Sequence, residues 1–236
     1  MDEAVPARRA TWPSWIEILL CSGYPTQIGI GVGLQAAGLS PVRDDGALSA
    51  RFVFALSLVD TAVLLSLIFL FLLRRGESPR RVLIGDRPIV REAGAGVLSL
   101  PVALGIVMLV SVLVRQFAPS LHNVPENPLR GFLGTQSGFL MFLFVVIVAG
   151  GVREELQRAF LLHRFRGDLG QPWMGVFITS LSFGMGHTLQ GLDAAIVTGA
   201  LGALWAVMYL VRGGAVASMV SHSLFNSTEL LRVFFR

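Results

Sequence analysis

Two adjacent glutamates, Glu154 and Glu155, follow an almost continuously hydrophobic run over residues 139–151. One acidic side chain at the centre of a bilayer costs roughly 2.5–3.5 kcal/mol on insertion scales, so a buried pair needs a functional explanation. At the membrane interface, by contrast, water would solvate both carboxylates and remove most of that cost. The other polar residues of the apolar segments must decide between a site and a solvated surface.

Two further residue pairs, each containing a histidine, lie in apolar segments downstream with four-residue spacing. They are Phe183 with His187, and His222 with Asn226. Residues i and i+4 of a helix lie on one face, so each pair is predicted to project in one direction. A lone membrane histidine usually makes an interhelical hydrogen bond. Here two of the four histidines of the chain accompany a carboxylate pair, which favours a site.

The chemistry that these residue types support is the activation of water. A partly desolvated carboxylate such as Glu154 can act as a general base near neutral pH, and the neutral imidazole of His187 can share the same water. An imidazole N–H of His222 and the amide of Asn226 can donate to a developing oxyanion, a contribution of roughly 2.7–4 kcal/mol per donor. Together these groups predict hydrolysis of an amide bond.

Other hydrolytic sites fit the sequence less well. The Gly-x-Ser-x-Gly and His-Glu-x-x-His patterns are both absent. A zinc site built from one glutamate, His187 and His222 stays chemically open, because two histidines and a carboxylate leave a fourth position for water. The chain has no lysine, which excludes Schiff-base chemistry and a P-loop lysine, and its single cysteine, Cys21, cannot form an intrachain disulfide.

Composition places the chain in a membrane. Hydrophobic residues make up 53% of it and charged residues only 14%, against roughly 25% charged in soluble domains. Its net charge of +4 comes from arginines beside apolar segments, which is typical of topology signals rather than of a nucleic-acid surface. We therefore predict one membrane-embedded domain that contacts the lipid bilayer and binds no nucleic acid.

The apolar segments predict an all-α, polytopic transmembrane helical bundle of about seven to eight spans. The loop over residues 74–91 carries six arginines and is predicted to be cytoplasmic, which puts the N-terminus inside. A break of the first span into two short re-entrant helices would make the number of spans even. The predicted spans cover residues 15–39, 52–73, 93–114, 132–152, 172–187, 194–211 and 214–235.

Asp60 is the one acidic residue inside the second predicted span. No second polar residue accompanies it at helical spacing. We therefore expect it to be held by a hydrogen bond to another helix rather than to take part in catalysis.

The ordered motifs, namely the two glutamates with a nearby arginine, Phe183-x-x-x-His187 and His222-x-x-x-Asn226, resemble a known family. They are similar to those of the type II CAAX prenyl endopeptidase and bacteriocin-immunity family of intramembrane glutamic proteases. The resemblance covers about residues 132–235. It implies a four-helix catalytic core within residues 132–236, preceded by membrane spans and the arginine-rich loop in residues 1–131, and no metal or other cofactor.

Carried onto this chain, the resemblance implies that Glu154 and His187 activate the water, and that His222 and Asn226 stabilise the oxyanion. Glu155 and Arg158 would be structural or orienting partners, and Phe183 would pack beneath His187. These site residues are Glu154, Glu155, Arg158, Phe183, His187, His222 and Asn226.

The chain departs from the family pattern at one position. The family has three residues between the second glutamate and the arginine, whereas here only two precede Arg158. Either the arginine has moved by one position and pairs with Glu154 across one turn, or the pattern is read backwards from Arg158. The second alignment matches Arg153 and Glu154 to the two family glutamates. We expect Glu154 to be the base, with Glu155 as the other candidate.

The predicted function is that of an intramembrane glutamic endopeptidase in a bacterial cytoplasmic membrane. Its substrate would be a membrane protein or peptide, cleaved near the cytoplasmic face. Whether that substrate is prenylated, and the oligomeric state of the protease, stay open. The alternatives are a zinc-dependent membrane metalloprotease and a non-proteolytic immunity or scaffold protein that binds a partner through the same helices.

Overall fold

The structure, a computed structural model, describes residues 12–235 of the 236-residue chain, so the predicted cytoplasmic N-terminus lies outside the described residues. Within residues 12–235 there is no β-strand, only an isolated bridge between Val42 and Leu48. This confirms the all-α prediction. The nine α-helices of this part are α1 (Trp12–Leu20), α2 (Tyr24–Ala36), α3 (Ala50–Arg74), α4 (Ile89–Phe117), α5 (Gln136–Val145), α6 (Glu154–Gly167), α7 (Pro172–Met185), α8 (Leu192–Arg212) and α9 (Val216–Phe234).

Short helices of other types connect several of these elements. A π-helix over Val146–Arg153 joins α5 to α6 without a break, and a second π-helix covers Arg80–Ile84. Three 3₁₀ turns lie at Pro119–Leu121, Pro128–Leu133 and Thr188–Gln190. The predicted span over residues 132–152 is therefore the first half of a longer helix that continues through α6.

Three helical segments in the described part of the chain are long and apolar enough to cross a membrane. They are Ala50–Arg74, Arg80–Phe117 and Leu192–Arg212, and each contains an 18-residue stretch with a mean hydropathy of at least 2.0. A helix of about 20 apolar residues spans the hydrocarbon core. The protein is thus an integral membrane protein, and the total of seven to eight spans stays a prediction.

The first predicted span is broken at Gly23, whose φ of +89° lies in the left-handed region. Helix α1 begins beside the end of α6, where the Ser14 hydroxyl donates to Asp168. Helix α2 then runs antiparallel to α3, because Gly31 lies against Phe52 in the first turn of α3. The two short helices together extend from the end of α6 to the first turn of α3, and whether they cross the membrane or re-enter it stays a prediction.

One end of the bundle, here called the arginine-rich end, is held together by ion pairs between helix termini. Arg75 after α3 pairs with Asp168 after α6 at 2.7 Å, and Arg212 at the end of α8 pairs with Glu92 at the start of α4 at 2.5 Å. The arginines at this end are Arg74, Arg75, Arg80, Arg81, Arg87, Arg91, Arg164, Arg166 and Arg212.

Arg164 anchors α1 to this end from a fully buried position. Its guanidinium donates to Glu17 of α1 at 2.7 Å and to Glu77, in the loop after α3, at 2.6 Å. Partial burial alone would raise the pKa of Glu77, but the hydrogen bonds from His163 and Arg164 outweigh it, and the pKa lies below its ordinary value.

The other end of the bundle, here called the opposite end, gathers the remaining helix termini. Asn127, in the loop after α4, donates to Gln190 after α7 at 3.1 Å. Phe139 at the start of α5 packs on Phe234 at the end of α9, with ring centroids 4.3 Å apart. The arginines of the described chain at this end are Arg43, Arg51, Arg115, Arg130 and Arg232.

Glycines allow the helices that carry the predicted site to approach closely. A Cβ on Gly184 of α7 would lie 2.5 Å from the carbonyl oxygen of Ala195 in α8, and Gly199 and Gly202 of α8 also face α7. The small-residue patch at Gly199 and Gly202 therefore packs within the chain. Backbone contact of this kind is the usual role of small residues between membrane helices.

The close contact at Gly96 leads to a testable prediction about the packing of α4 against α9. A Cβ at this position of α4 would lie 2.5 Å from the carbonyl oxygen of Ala217 in α9, whereas Gly94 faces open space. We expect Gly96→Ala to lower the free energy of unfolding by about 1–3 kcal/mol through overpacking. Gly94→Ala, the matched control, should not. Thermal unfolding of both variants in the same detergent measures the difference, and equal melting temperatures would contradict the packing.

Candidate active site

A cavity of about 920 Å³ lies between the helices from α2 to α9. All four residues predicted to be catalytic, Glu154, His187, His222 and Asn226, line it. They come from α6, from the turn after α7 and from α9. The fold therefore brings together, in one space, the polar side chains that the sequence places on separate segments.

The π-helix before α6 sets the position of Glu154. Such wide turns are rare and are frequently found at functional sites. Its two glycines let α9 pass close by: a Cβ on Gly150 would lie 2.7 Å from the Asn226 amide nitrogen, and one on Gly151 would collide with Ser223. The Gly-Gly pair thus places the amide of Asn226 beside the turn that precedes Glu154.

The two glutamates have different environments. The Glu154 side chain is 24% exposed and lines the cavity, whereas Glu155 is 1% exposed and lies behind it. Glu155 forms an ion pair with Arg158, and its Oε1 accepts a hydrogen bond from Nδ1 of His222 at 2.9 Å. Arg158 therefore pairs with Glu155, three residues earlier, and not with Glu154 as expected.

His187 lies in the turn after α7 and is held by the last turn of that helix. Its Nδ1 lies 2.8 Å from the carbonyl oxygen of Phe183, which can only accept, so Nδ1 carries the proton. In the neutral ring Nε2 is then left with a lone pair. The Phe183 ring packs edge-on against the imidazole, with centroids 4.7 Å apart.

His222 is 3% exposed and fixed on several sides. Its ring stacks on Trp205 at 3.8 Å with an interplanar angle of 15°, and Phe183 meets it edge-on at 5.7 Å. With Nδ1 bound to Glu155, Nε2 points toward Glu154, whose Oε2 lies 3.9 Å away. The separation exceeds a direct hydrogen bond and suits a shared water.

Asn226 lies one helical turn beyond His222, and its Nδ2 makes a long hydrogen bond of 3.5 Å to the carbonyl oxygen of Val146. An amide nitrogen has two hydrogens to donate. The weak contact leaves donor capacity within the cavity.

Trp205 is a site residue that the sequence analysis missed. It is 1% exposed and lies under His222, and the guanidinium of Arg158 sits 5.8 Å from its ring and 4.7 Å from that of Phe183. One signal was available, because tryptophan in membrane helices favours the interface. Trp205 instead lies near the middle of a predicted span.

Asp60 and Arg153 form a second feature that the sequence did not reveal. Asp60 is fully buried and accepts from Arg153 Nη2 at 2.5 Å and from the Thr26 hydroxyl at 2.5 Å. The expected interhelical hydrogen bond of Asp60 is confirmed. Its partner is the residue before Glu154, and Nη1 of Arg153 lies 3.9 Å from Glu154 Oε1.

Across residues 12–235 no cluster of three or more histidine, cysteine, aspartate or glutamate side chains is arranged to hold a metal ion. The glutamate and the two histidines of the zinc alternative all line the same cavity, but do not form such a cluster.

Comparison with known proteins gives a match in the C-terminal region. Residues 135–228 match the family model of the type II CAAX prenyl endopeptidase Rce1-like proteins. No curated protein and no solved structure gives a significant match. The matched range contains all seven predicted site residues. Over residues 135–228, the chain is therefore similar to the Rce1-like type II CAAX prenyl endopeptidases, a family of membrane proteases.

Proposed function

We propose that the protein is an intramembrane glutamic endopeptidase that hydrolyses a peptide bond of a membrane-associated protein or peptide. One observation carries the proposal. Glu154 is a partly exposed carboxylate in a cavity that His187, His222 and Asn226 also line, while its neighbour Glu155 is buried and neutralised by Arg158. In this arrangement Glu154 can act as the base and His187 can accept a hydrogen bond from the same water. His222 and Asn226 can donate hydrogen bonds to the oxyanion.

In the proposed reaction the Glu154 carboxylate takes one proton from a water whose other contact is the Nε2 lone pair of His187. The water oxygen then attacks the scissile carbonyl carbon and forms a tetrahedral intermediate. Collapse of this intermediate breaks the C–N bond, and the Glu154 carboxyl returns its proton to the leaving amine. Glu154 thus acts as base and then as acid, and ends the cycle ionised.

The oxyanion of the intermediate accepts hydrogen bonds from Asn226 Nδ2 and His222 Nε2. Nε2 can donate there only when the ring carries both protons, and the Glu155 carboxylate at Nδ1 is the counter-ion for that state. Donors that are fixed before the reaction stabilise a developing charge without reorganisation. Stacking on Trp205 and the Glu155 contact supply that fixation for His222.

Glu155, Arg158 and Phe183 act through their neighbours in this proposal. Glu155 and Arg158 hold the ring of His222, and Phe183 separates the His187 ring from the Arg158 guanidinium. We further propose that residues 132–236 form the protease core and that the protein resides in a bacterial cytoplasmic membrane. The arginine-only, alanine- and glycine-rich composition supports a bacterial source.

Comparative proteolysis tests the function directly. Purified protein in liposomes is incubated with solubilised membrane proteins, and new peptide N-termini are identified by mass spectrometry, alongside the His187→Ala variant. We expect termini that depend on His187 and persist with a chelator. Loss of cleavage with chelator would favour the zinc metalloprotease. Termini that are identical in both samples would overturn the protease and favour the immunity or scaffold alternative.

Gly150→Ala should reduce turnover because the added Cβ would displace the amide of Asn226, now 2.7 Å from that position. Loss of one oxyanion donor lowers kcat by about 10²–10³-fold in known cases, and we expect a reduction at the lower end. Gly167→Ala in α6, which meets no atom within 4 Å, is the matched control. The measurement compares the steady-state cleavage rates of both variants and the wild type, and their melting temperatures should be unchanged. Equal cleavage rates would show that Asn226 does not take part in catalysis.

A further inference from the structure

The mouth of the cavity lies at the opposite end of the bundle. Apart from Tyr24, every exposed residue that lines the cavity belongs to this end. Tyr24 lies at the break between α1 and α2, where its hydroxyl donates to the Ser182 carbonyl oxygen at 2.8 Å. The exposed lining residues at the opposite end are Asn127, Pro128, Arg130, Gly186, Leu189 and Arg232.

The floor of the cavity faces the arginine-rich end and is closed. Leu161, Arg158 and Trp205 line the cavity there and are each less than 9% exposed. No lining residue comes from residues 61–106, 162–178 or 206–221, the segments that form that end. Backbone contacts seal it: the amide of Ala215 donates to the Leu83 carbonyl oxygen at 2.8 Å.

Arginine distribution orients the bundle in the membrane. Among residues 12–235, nine arginines lie at the arginine-rich end and five at the opposite end, all close to helix termini. Arginines and lysines in short loops accumulate on the cytoplasmic side of membrane proteins. The arginine-rich end is therefore assigned to the cytoplasm and the mouth of the cavity to the other face.

From these two observations we propose that the cavity receives its substrate from the non-cytoplasmic face of the membrane. This inference rests on the proposed protease function and replaces the expectation of cleavage near the cytoplasmic face. The cavity wall between the mouth and Glu154 is mostly apolar, with Phe52, Leu56, Phe142 and Val145 among its residues. The substrate is therefore a peptide with an apolar segment that emerges from the bilayer on the non-cytoplasmic side.

Cysteine labelling in intact spheroplasts tests the orientation without any need for activity. Cys21 is the single native cysteine and is buried, so Cys21→Ala gives a background without thiols. In that background Glu126→Cys probes the opposite end and Asp86→Cys the arginine-rich end, since both native residues are exposed. We expect a membrane-impermeant maleimide to label the Glu126 variant in intact spheroplasts, and the Asp86 variant only after permeabilisation. The reverse pattern would overturn the inference.

A pair of reporters tests the substrate side. Both carry one apolar anchor and one identical cleavable segment, placed on the non-cytoplasmic side in one reporter and on the cytoplasmic side in the other. We expect cleavage of the first reporter only. Cleavage of the cytoplasmic reporter, alone or with the other, would overturn the inference. If neither is cleaved while the labelling pattern is as expected, the proposed protease function fails and the orientation stands.

Discussion

Replacing Glu154 with glutamine should abolish peptide cleavage while leaving the fold intact. Glutamine has nearly the same shape but cannot take a proton from water. In known enzymes, general acid–base catalysis raises the reaction rate by about 10²–10⁴-fold. We expect kcat/KM to fall by about 10³-fold or more, because the same group also returns the proton to the leaving amine. The Glu154 side chain is 24% exposed and makes no ion pair closer than 3.9 Å, so little stability is lost.

The matched comparison is Glu155→Gln, one position along the same helix. Glu155 is the ion-pair partner of Arg158, which is 4% exposed, and removing one partner of a buried pair costs about 3–5 kcal/mol. This variant should therefore unfold at a clearly lower temperature, whereas Glu154→Gln should not. Cleavage rates and melting temperatures of both proteins in one detergent give the measurement. If Glu154→Gln cleaved peptide near the wild-type rate, the general base would have to be another residue.

Helical spacing predicted which residues meet in the cavity, but not how they pair. Because residues i and i+4 share a face, His222 and Asn226 were expected to project together, and both line the cavity. The same rule paired Arg158 with Glu154, whereas it pairs with Glu155 at i+3. A π-helix ends at Arg153, immediately before these residues. Hydrophobic periodicity gives no sign of such a wide turn, so the orientation of the two glutamates was not predictable.

The helices themselves were predictable because each is a long apolar run, and the bounds of α3 and α8 differ from the predicted spans by only one or two residues. Contacts between segments that are distant in the sequence were not predictable. Asp60 and Arg153 are 93 residues apart, and nothing in either segment alone specifies the other as its partner. The position of the cavity mouth likewise depends on which loops surround it, which is a property of the packed bundle.

The Asp60–Arg153 pair, like the Glu155–Arg158 pair, should contribute strongly to stability near the site. Asp60 is fully buried and the Arg153 side chain is 7% exposed. Removing one partner of a buried pair leaves the other charge unpaired in a medium of low dielectric constant, which lowers the free energy of unfolding by about 3–5 kcal/mol. We expect Asp60→Asn and Arg153→Met each to lower the free energy of unfolding by that amount.

The double variant Asp60→Asn/Arg153→Met separates the energy of the ion pair from the effect of each side chain alone. Because neither charge is left unpaired, most of the lost stability should return, which denaturant unfolding in detergent can measure as a double-mutant cycle. Arg43→Met is the control, since Arg43 forms an exposed ion pair with Asp45 and exposed pairs contribute little. Single variants no less stable than this control would contradict the role of the pair. A refolded double variant that cleaves peptide more slowly would add that Arg153, 3.9 Å from Glu154, also positions the base.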